Sequence, residues 1–491
     1  MKLRQRFVTQ CIVLLLSTTL LSQITLGATF NTIENTALST NEISKTETEI
    51  LNYSNLNVEG LLLPKKLFIL QGNHTTAENY AIFNKNAFLS QYANPVLTIT
   101  SPYGLTSEES WSFKTGLLND YPLSKHFDLN FYLSDDTTFT QESVSVELVD
   151  TTNTTPVRLL PIGDSLTRSG IYLSQVEKKL PNVDVVGTRI YETDGVPARE
   201  GRGGWTLDRY FTAINSSELD SPFMFPTGID GTRYKGNTRD WKNICYTDST
   251  NPIYAGFQTI ARDWKNKGPY LYDINGYYKY PLVGDVMVDP SRPKGSEWIE
   301  WTGTSWEPMV VQPTSFEFSF SKYMERFAAA YTDGAPTHVS ILLGANDFGY
   351  NNALEDLGGY IRKLNQMIAS IKAYDPDIKI ILCTPTPAPN TTIVTDSHKD
   401  FYDKYDLNMK IATYYLLKTY DNAASEAQGI YIAPMHLTLD TTNGFDYRET
   451  TETIGGNTIS VIKATNGIHP NNSHGQLQMG DTLAAVIQKY R

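Results

Sequence analysis

The chain contains little cysteine and more acidic than basic residues. It holds 3 cysteines in 491 residues, and its 41 Lys and Arg against 53 Asp and Glu give a formal net charge of −12. A chain with so little cysteine is not built on a disulfide framework. Its negative charge argues against nucleic acid and anionic lipid surfaces as partners, because both attract basic surfaces.

Long apolar runs are also scarce, and the single one lies at the N-terminus. Lys2, Arg4 and Arg6 precede the apolar residues 7–21, which are followed by small residues. This order predicts a secretory signal peptide over 1–27, hence a secreted protein. Loss of its three basic residues takes the net charge to −15. An uncleaved anchor ranks second, because the run is short for a bilayer span and is interrupted by polar residues. We therefore expect no stable membrane insertion.

Strand signals dominate the region up to about residue 152. Residues 28–60 are rich in Ser, Thr, Asn and Glu without periodicity, which predicts a polar leader or linker. The next stretch, 61–152, contains short β-type runs separated by Asn, Gly, Pro and Asp, and this pattern predicts a small all-β sandwich domain. A polar Thr-Thr-Asn-Thr-Thr linker marks its end. The β-type runs are 67–70, 96–100 and 144–148.

Strands and helices alternate from residue 155 to 491. Apolar residues in 354–371 recur every three or four positions, which predicts a helix, and 401–420 and 477–490 are further predicted helices. The alternation predicts an α/β domain with a mostly parallel sheet and helices on both faces. Sites in such sheets form beyond the carboxyl ends of the strands. The predicted strands are 157–162, 183–187, 338–343, 378–383 and 430–433.

Four separated motifs carry residues suited to nucleophilic chemistry. Ser165, in Gly-Asp-Ser-Leu-Thr, follows the first predicted strand and offers a hydroxyl on a strand-to-helix turn. Gly204, in Glu-Gly-Arg-Gly-Gly-Trp-Thr, and Asn346, in Gly-Ala-Asn-Asp, each offer an N–H donor to an oxyanion. His469, in Asn-Gly-Ile-His-Pro, offers a base just before the last helix. The sequence Gly-Asp-Ser-Leu-Thr alone is common in loops. It indicates catalysis only together with the other three motifs, in the order Ser, Gly, Asn, His.

This ordered set resembles the SGNH (GDSL) hydrolase superfamily over roughly residues 157–491. The resemblance implies that Ser165 is the nucleophile, that His469 is the general base, and that the Ser165 N–H, Gly204 and Asn346 form the oxyanion hole. The motifs around Gly204 and His469 look most like secreted bacterial members with an N-terminal β-domain, several of which are carbohydrate esterases. The implied function is hydrolysis of acetyl esters on carbohydrate through an acyl-enzyme. A lipase or thioesterase acting on other esters is the alternative among enzymes.

One position departs from the family pattern. The family usually has aspartate three residues before the catalytic histidine, whereas this chain has Asn466. An amide oxygen can accept the Nδ1–H of His469 but cannot neutralise the imidazolium that forms during attack. Three interpretations stay open: a Ser–His dyad oriented by Asn466 or by a backbone carbonyl, an acid supplied by Asp440 or Asp446, and a degraded hydrolase that only binds glycan.

Other polar residues have ordinary structural explanations. Asp164 and Asp347 are suited to hold their turns through backbone hydrogen bonds, and His474 fits the start of the last helix. No His-Glu-x-x-His sequence and no convincing carboxylate loop indicates a metal, so neither metal nor cofactor is expected. Cys245 and Cys383 form either one bridge or two buried thiols.

An aromatic-rich insertion, about 216–320, separates the Gly204 and Asn346 motifs. Its rings can stack on sugar faces beside the site, or they can form the core of the insertion itself. The second interpretation is favoured for most of them. The rings are Trp241, Trp264, Trp298, Trp301, Trp306, Tyr234, Tyr246, Tyr254, Tyr270, Tyr272, Tyr277, Tyr278 and Tyr280.

Overall fold

The computed structural model describes part of the chain. The predicted signal peptide lies outside that part, as do nearly all of the predicted polar leader, Cys245 and most of the aromatic-rich insertion. The predictions made for them stay predictions. Within it, no helix combines the length and apolarity needed to cross a membrane. The described residues are 60–71, 79–89, 95–114, 125–134, 139–189, 196–212, 221–237, 282–289, 291–349 and 357–491.

The strands fall into an N-terminal group, a parallel sheet, the insertion and a late hairpin. In chain order they are β1 (Gly60–Leu61), β2 (Lys66–Leu70), β3 (Asn79–Phe83), β4 (Phe88–Leu89), β5 (Val96–Thr100), β6 (Leu105–Thr106), β7 (Ser110–Lys114), β8 (His126–Ser134), β9 (Phe139–Val149), β10 (Val157–Gly163), β11 (Val183–Val185), β12 (Glu200–Gly201), β13 (Met224–Pro226), β14 (Tyr234–Asn237), β15 (Val286–Val288), β16 (Trp298–Trp301), β17 (Trp306–Pro308), β18 (Phe316–Phe318), β19 (His338–Leu342), β20 (Lys379–Cys383), β21 (Ile430–Ala433), β22 (Tyr447–Ile454) and β23 (Asn457–Ala464).

The described helices all follow the first strand of the parallel sheet, apart from one 3₁₀ turn at Asn84–Asn86. A second 3₁₀ turn covers Ala328–Ala330. The α-helices are α1 (Ser165–Ser169), α2 (Ile171–Lys179), α3 (Leu207–Tyr210), α4 (Phe320–Arg326), α5 (Ala345–Phe348), α6 (Leu357–Tyr374), α7 (Lys399–Tyr420), α8 (Ala423–Ala427), α9 (Met435–Thr438) and α10 (Gly475–Tyr490).

Two sheets in the N-terminal region share one apolar core. One has the strand order β2-β9-β8-β5 and the other β3-β7-β6. Alternate residues of these strands face inward, as the pattern of β8 shows, with Phe127, Leu129, Phe131 and Leu133 buried. The rings of Trp111 from β7 and of neighbouring phenylalanines fill the space between the sheets.

The central sheet of the larger region is parallel and has the order β11-β10-β19-β20-β21, with β12 paired to the end of β10. Its strands are apolar on both faces, which is typical of a sheet covered on both sides. In β10, Leu160 and Ile162 pack in one core with α6 and α7, while Val157 and Leu159 pack in another with α2 and α10. The prediction of a mixed α/β chain is confirmed, with helices on each face of the sheet.

The N-terminal region packs against the parallel sheet and its last helix. The neutral ring of His436 donates from Nε2 to the Leu62 carbonyl at 2.9 Å. Asn86 Nδ2 donates to the carbonyl of Leu439 at 2.8 Å. The rings of Phe68 and Tyr490 meet edge to face, with centroids 5.4 Å apart. The two hydrogen bonds join the N-terminal region to the α9 segment, and the ring contact joins β2 to α10.

The described strands of the insertion pack into the same apolar core as one face of the parallel sheet. Tyr234 and Trp298 are both buried, and their ring centroids lie 5.9 Å apart. Trp301 and Trp306 pack on each other across β16 and β17 at 5.5 Å. Tyr234 and Trp298 are therefore core residues, but they lie in the core shared with the parallel sheet and do not form a separate core of the insertion. Cys383, at the end of β20, is buried in the core of the parallel sheet.

A hairpin of β22 and β23 lies directly before the Asn466–His469 motif. Its eight residue pairs run without a register shift to a Gly455–Gly456 turn. The loop after β20 holds the hairpin, because the Thr395 N–H donates to the Ile462 carbonyl and the Ile462 N–H donates to Thr395 Oγ1. This element was not predicted from the sequence, and it fixes where the histidine turn begins.

Candidate active site

Ser165 is the first residue of α1 and follows directly after β10. Asp164 occupies the N-cap, and its carboxylate accepts the Leu166 N–H at 2.9 Å. The first N–H groups of a helix have no acceptor within it, so the Ser165 N–H points out of the helix end. Close packing requires glycine at position 163, because a Cβ there would lie 2.0 Å from Thr167 Oγ1. The serine is therefore presented half-buried at the carboxyl end of a central strand.

His469 lies beside that serine. Its Nε2 is 2.6 Å from Ser165 Oγ, and its Nδ1 is 2.9 Å from Asn466 Oδ1. Asn466 Oδ1 also accepts the backbone N–H groups of Ile468 and His469, at 3.4 and 3.2 Å. Because those groups only donate, the atom they face is oxygen, and Nδ1 must carry the ring proton. Nε2 is then unprotonated and accepts the hydroxyl proton of Ser165.

No acidic side chain contacts the His469 ring within the described residues. Asp440 accepts the N–H groups of Thr442 and Asn443 at 2.8 and 2.9 Å, and so holds its own turn. Asp446 accepts from the Asn471 side chain at 3.3 Å. The structure thus places neither acid on Nδ1, where Asn466 sits. Burial lowers the pKa of His469 below its usual value near 6.5, which keeps the ring neutral at pH 7.

The segments that carry Gly204 and Asn346 are joined by a hydrogen bond. Asn346 Nδ2 donates one proton to the Trp205 carbonyl at 3.1 Å, and an amide has a second proton to offer. Gly204 has a φ of +75°, and nothing lies within 4 Å of where its Cβ would be. The Gly201 backbone, just before this loop, packs against α1, since a Cβ there would lie 2.1 Å from the Arg168 nitrogen. Their service as oxyanion donors is a proposal.

Two carboxyls, the buried Asp164 and the half-buried Asp347, support these turns. Asp347 Oδ1 accepts the Leu207 N–H at 2.8 Å, while Asp164 caps α1 as described above. Burial raises the pKa of each to about 7, and the charge of Asp164 raises that of Asp347 further. Asp164 holds its own turn, as predicted, whereas Asp347 bonds to a backbone N–H 140 positions away and ties its loop to the start of α3.

Two residues that the sequence did not indicate hold the histidine turn in place. Gln476, buried at the start of α10, accepts the Ser169 hydroxyl at 2.7 Å and donates to the Pro470 carbonyl at 3.2 Å. It therefore links the serine helix to the histidine turn. The ring of Tyr402 packs on Gly467, where a Cβ would lie 2.0 Å from it. Sequence patterns carry no signal for either contact, because each joins residues far apart in the chain.

His474 is the N-cap residue of α10, and its Nε2 lies 3.6 Å from Asp440 Oδ2, away from the serine. Over the described ranges, no group of three or more His, Cys, Asp or Glu side chains is arranged to hold a metal ion.

Comparisons with known proteins yield only distant likenesses. No family model matches the chain, and no curated protein does. Among solved structures, a carbohydrate esterase family 3 protein from Talaromyces cellulolyticus is 13% identical, and a mutant acetyl esterase with acetate ion is 14% identical. A possible lipase from Chitinophaga pinensis DSM 2588 is 12% identical. Each covers 68% of this chain and 98% of its own, at a TM-score of 0.30. A TM-score this low does not assign a function to the chain. The proposed function is therefore based on the geometry of the site.

Proposed function

We propose that this chain is a serine esterase in which Ser165 and His469 act as a dyad. The observation that carries the proposal is the pair of hydrogen bonds on the His469 ring, 2.6 Å to Ser165 Oγ and 2.9 Å to Asn466 Oδ1. One bond aims the basic nitrogen at the hydroxyl, and the other holds the ring in the matching tautomer. A half-buried serine with an aligned base is the arrangement that nucleophilic catalysis requires.

The reaction proceeds through an acyl-enzyme. His469 Nε2 takes the hydroxyl proton as Ser165 Oγ bonds to the ester carbonyl carbon, and the oxyanion accepts hydrogen bonds from the Ser165 N–H, the Gly204 N–H and Asn346 Nδ2. The imidazolium then gives its proton to the leaving alcohol. In the second half, His469 deprotonates a water that attacks the acyl carbon, and Ser165 regains its proton. Because Asn466 is neutral, the imidazolium in each half lacks a counter-charge.

The substrate that we propose is an acetylated carbohydrate outside the cell. The acetyl and carbohydrate assignments rest on the SGNH (GDSL) resemblance of the four motifs, and secretion rests on the N-terminal basic and apolar residues. The open space beside the Gly204 Cβ position leaves room for a substrate at the oxyanion rim.

The test is acetate release from acetylated glycans by the purified chain. We expect release, and a loss of about 10³-fold or more in kcat for Ser165→Ala. The matched control is Ser174→Ala, because Ser174 lies on the next helix, α2, and His469 bonds to Ser165 instead. A clear preference for long acyl chains over acetyl would contradict the substrate proposal and favour a lipase.

A glycan-binding protein with an impaired site is the second candidate, and the amide at Asn466 favours it. A serine-reactive fluorophosphonate separates the two. An active dyad labels at Ser165, and the labelling disappears in His469→Ala. Folded protein that shows neither labelling nor turnover of a generic acetyl ester would favour binding alone.

A further inference from the structure

The Asn466–Gly467 dipeptide places a reactive amide on the catalytic ring. Asparagine followed by glycine is the sequence most prone to lose ammonia, because glycine leaves the backbone nitrogen unshielded. Asn466 Oδ1 is also the acceptor for His469 Nδ1. We propose that Asn466 is a deamidation site, and that its conversion to aspartate gives the Ser165–His469 pair the carboxylate that it lacks. The activating part of this inference rests on the proposed esterase function.

The chemistry needs only water. The Gly467 nitrogen attacks Cγ of Asn466, the Cγ–Nδ2 bond breaks, and the departing nitrogen takes up the Gly467 proton and leaves as ammonia. The product is a five-membered succinimide. Water then opens this ring, with its hydroxyl on a carbonyl carbon and its other proton on the ring nitrogen. Opening at Cγ gives aspartate with the original backbone, and opening at the backbone carbonyl carbon gives isoaspartate.

The hydrogen bonds of Asn466 suit both steps. Three N–H groups point at Oδ1, which draws electrons from Cγ and makes it a better target for attack. The side chain is exposed, so water reaches it. Within the described residues, every hydrogen bond of this side chain uses Oδ1, so the loss of Nδ2 as ammonia breaks none. An aspartate accepts the same three donors.

The packing of Gly467 requires glycine directly after Asn466. A Cβ at position 467 would lie 2.0 Å from the Tyr402 ring, so a larger residue does not fit there. A carboxylate at position 466 would raise the pKa of His469 and stabilise the imidazolium during attack. Isoaspartate instead lengthens the turn by one backbone carbon and displaces His469. Only the aspartate product is therefore activating.

The chain offers an internal control in Asn443–Gly444. The Gly444 N–H donates to the Asp440 carbonyl at 2.7 Å, and Asn443 Nδ2 donates to Asp440 Oδ2 at 2.9 Å. Both the attacking nitrogen and the departing amide are held there. In contrast, Asn466 is held only through its oxygen. We therefore expect Asn466 to convert faster than Asn443, although both have glycine next.

The experiment incubates the full chain at mildly alkaline pH and follows both asparagines by peptide mass spectrometry, with fragmentation to separate aspartate from isoaspartate. We expect conversion at Asn466 ahead of Asn443. Turnover of a generic acetyl ester should rise with the aspartate fraction toward that of Asn466→Asp, which we expect to be about tenfold or more above the fresh protein. Asn466→Ala cannot deamidate, so its activity should not rise with time.

The two readouts separate the possible failures. An active protein in which Asn466 converts no faster than Asn443 overturns the deamidation site but leaves the esterase intact. Conversion at Asn466 without ester turnover, in both the aged protein and Asn466→Asp, overturns the activating role together with the esterase function. Conversion with turnover that does not rise overturns the activating role alone.

Discussion

His469 has a neutral partner on one side and the serine hydroxyl on the other. The Asn466 oxygen fixes the tautomer as an aspartate would, through the Nδ1 proton at 2.9 Å. It differs in charge, because the imidazolium formed during attack has no anion beside it. Burial alone sets the direction of the His469 pKa shift, which is downward. The amide thus makes the imidazolium less stable during the reaction, but it leaves the geometry of the resting site unchanged.

This difference predicts how the pH profile changes in Asn466→Asp. The base works when neutral, so activity falls as pH drops through the pKa of His469, which lies below 6.5 in the native chain. A carboxylate favours the imidazolium and raises that pKa. We expect a higher plateau together with an acidic limb displaced to higher pH, measured as kcat/KM against pH. An unchanged limb would mean that position 466 does not face the ring.

The proposed oxyanion donor Asn346 gives a second prediction at this scale. Its amide donates one N–H to the Trp205 carbonyl, and the second N–H is left to donate to the oxyanion of the transition state. We expect Asn346→Ala to lower kcat by about 10²–10³-fold with little change in KM, because the bond forms with the oxyanion rather than with the bound ester. Asp347→Asn is the control, since an amide oxygen there can still accept the Leu207 N–H. A change confined to KM would contradict an oxyanion role.

At the scale of the elements, two glycines of one motif are required for different reasons, one for close packing and the other for its backbone conformation. Gly201 ends β12, and a Cβ there would overlap the backbone of α1. Gly204 has open space but a left-handed φ of +75°. The sequence shows both only as glycines in Glu-Gly-Arg-Gly-Gly-Trp-Thr, and their physical reasons appear only with the fold.

These reasons predict unequal effects on stability. Gly204→Ala should cost about 1–2 kcal/mol, the penalty of a left-handed residue with a Cβ. Gly201→Ala should cost clearly more, because α1 or β12 must move to admit the methyl group. Urea unfolding of the two variants measures this, and equal losses would contradict the packing argument.

The elements also show where sequence patterns succeed and fail. The apolar spacing predicts α6 well, and the structure buries Leu357, Ile361 and Leu364 on one face. The hairpin of β22 and β23 was missed even though Gly455–Gly456 is a hairpin signal, because most of its residues are exposed and show no apolar face. The four site motifs were found because each is local. Gln476 was not, because its contact with Ser169 spans 307 positions.

Over the whole molecule, the N-terminal region and the parallel sheet share an interface that contains a buried, neutral histidine. His436 donates to the Leu62 carbonyl and its Nδ1 accepts from Thr384 Oγ1, so both ring nitrogens are satisfied without charge. Burial lowers its pKa to about 4. The folded chain therefore resists protonation of this ring, whereas the unfolded chain takes up the proton below about pH 6.5.

The interface predicts a linked loss of stability in acid. Because the folded pKa of His436 is depressed, its contribution is fully present above pH 6.5 and is lost as pH falls toward 4. We expect one unfolding transition for both regions by calorimetry, with a midpoint that falls over this range. In His436→Gln the fall should be smaller, because the ring that takes up the proton in the unfolded chain is absent. Two separate transitions would contradict a shared interface.

The hydrogen bond between Ser165 and His469 joins residues 304 positions apart. A ribosome makes the serine long before the histidine, and domains of a nascent chain fold from the N-terminal side first. The residues of the strand and helix that present Ser165 are therefore synthesised well before its base, and they still lack β19 and α10, on which β10 and α2 pack. Throughout that interval the serine is an ordinary alcohol, whatever surrounds the growing chain. Nucleophilic character arises at the end of synthesis, when the turn that carries His469 docks.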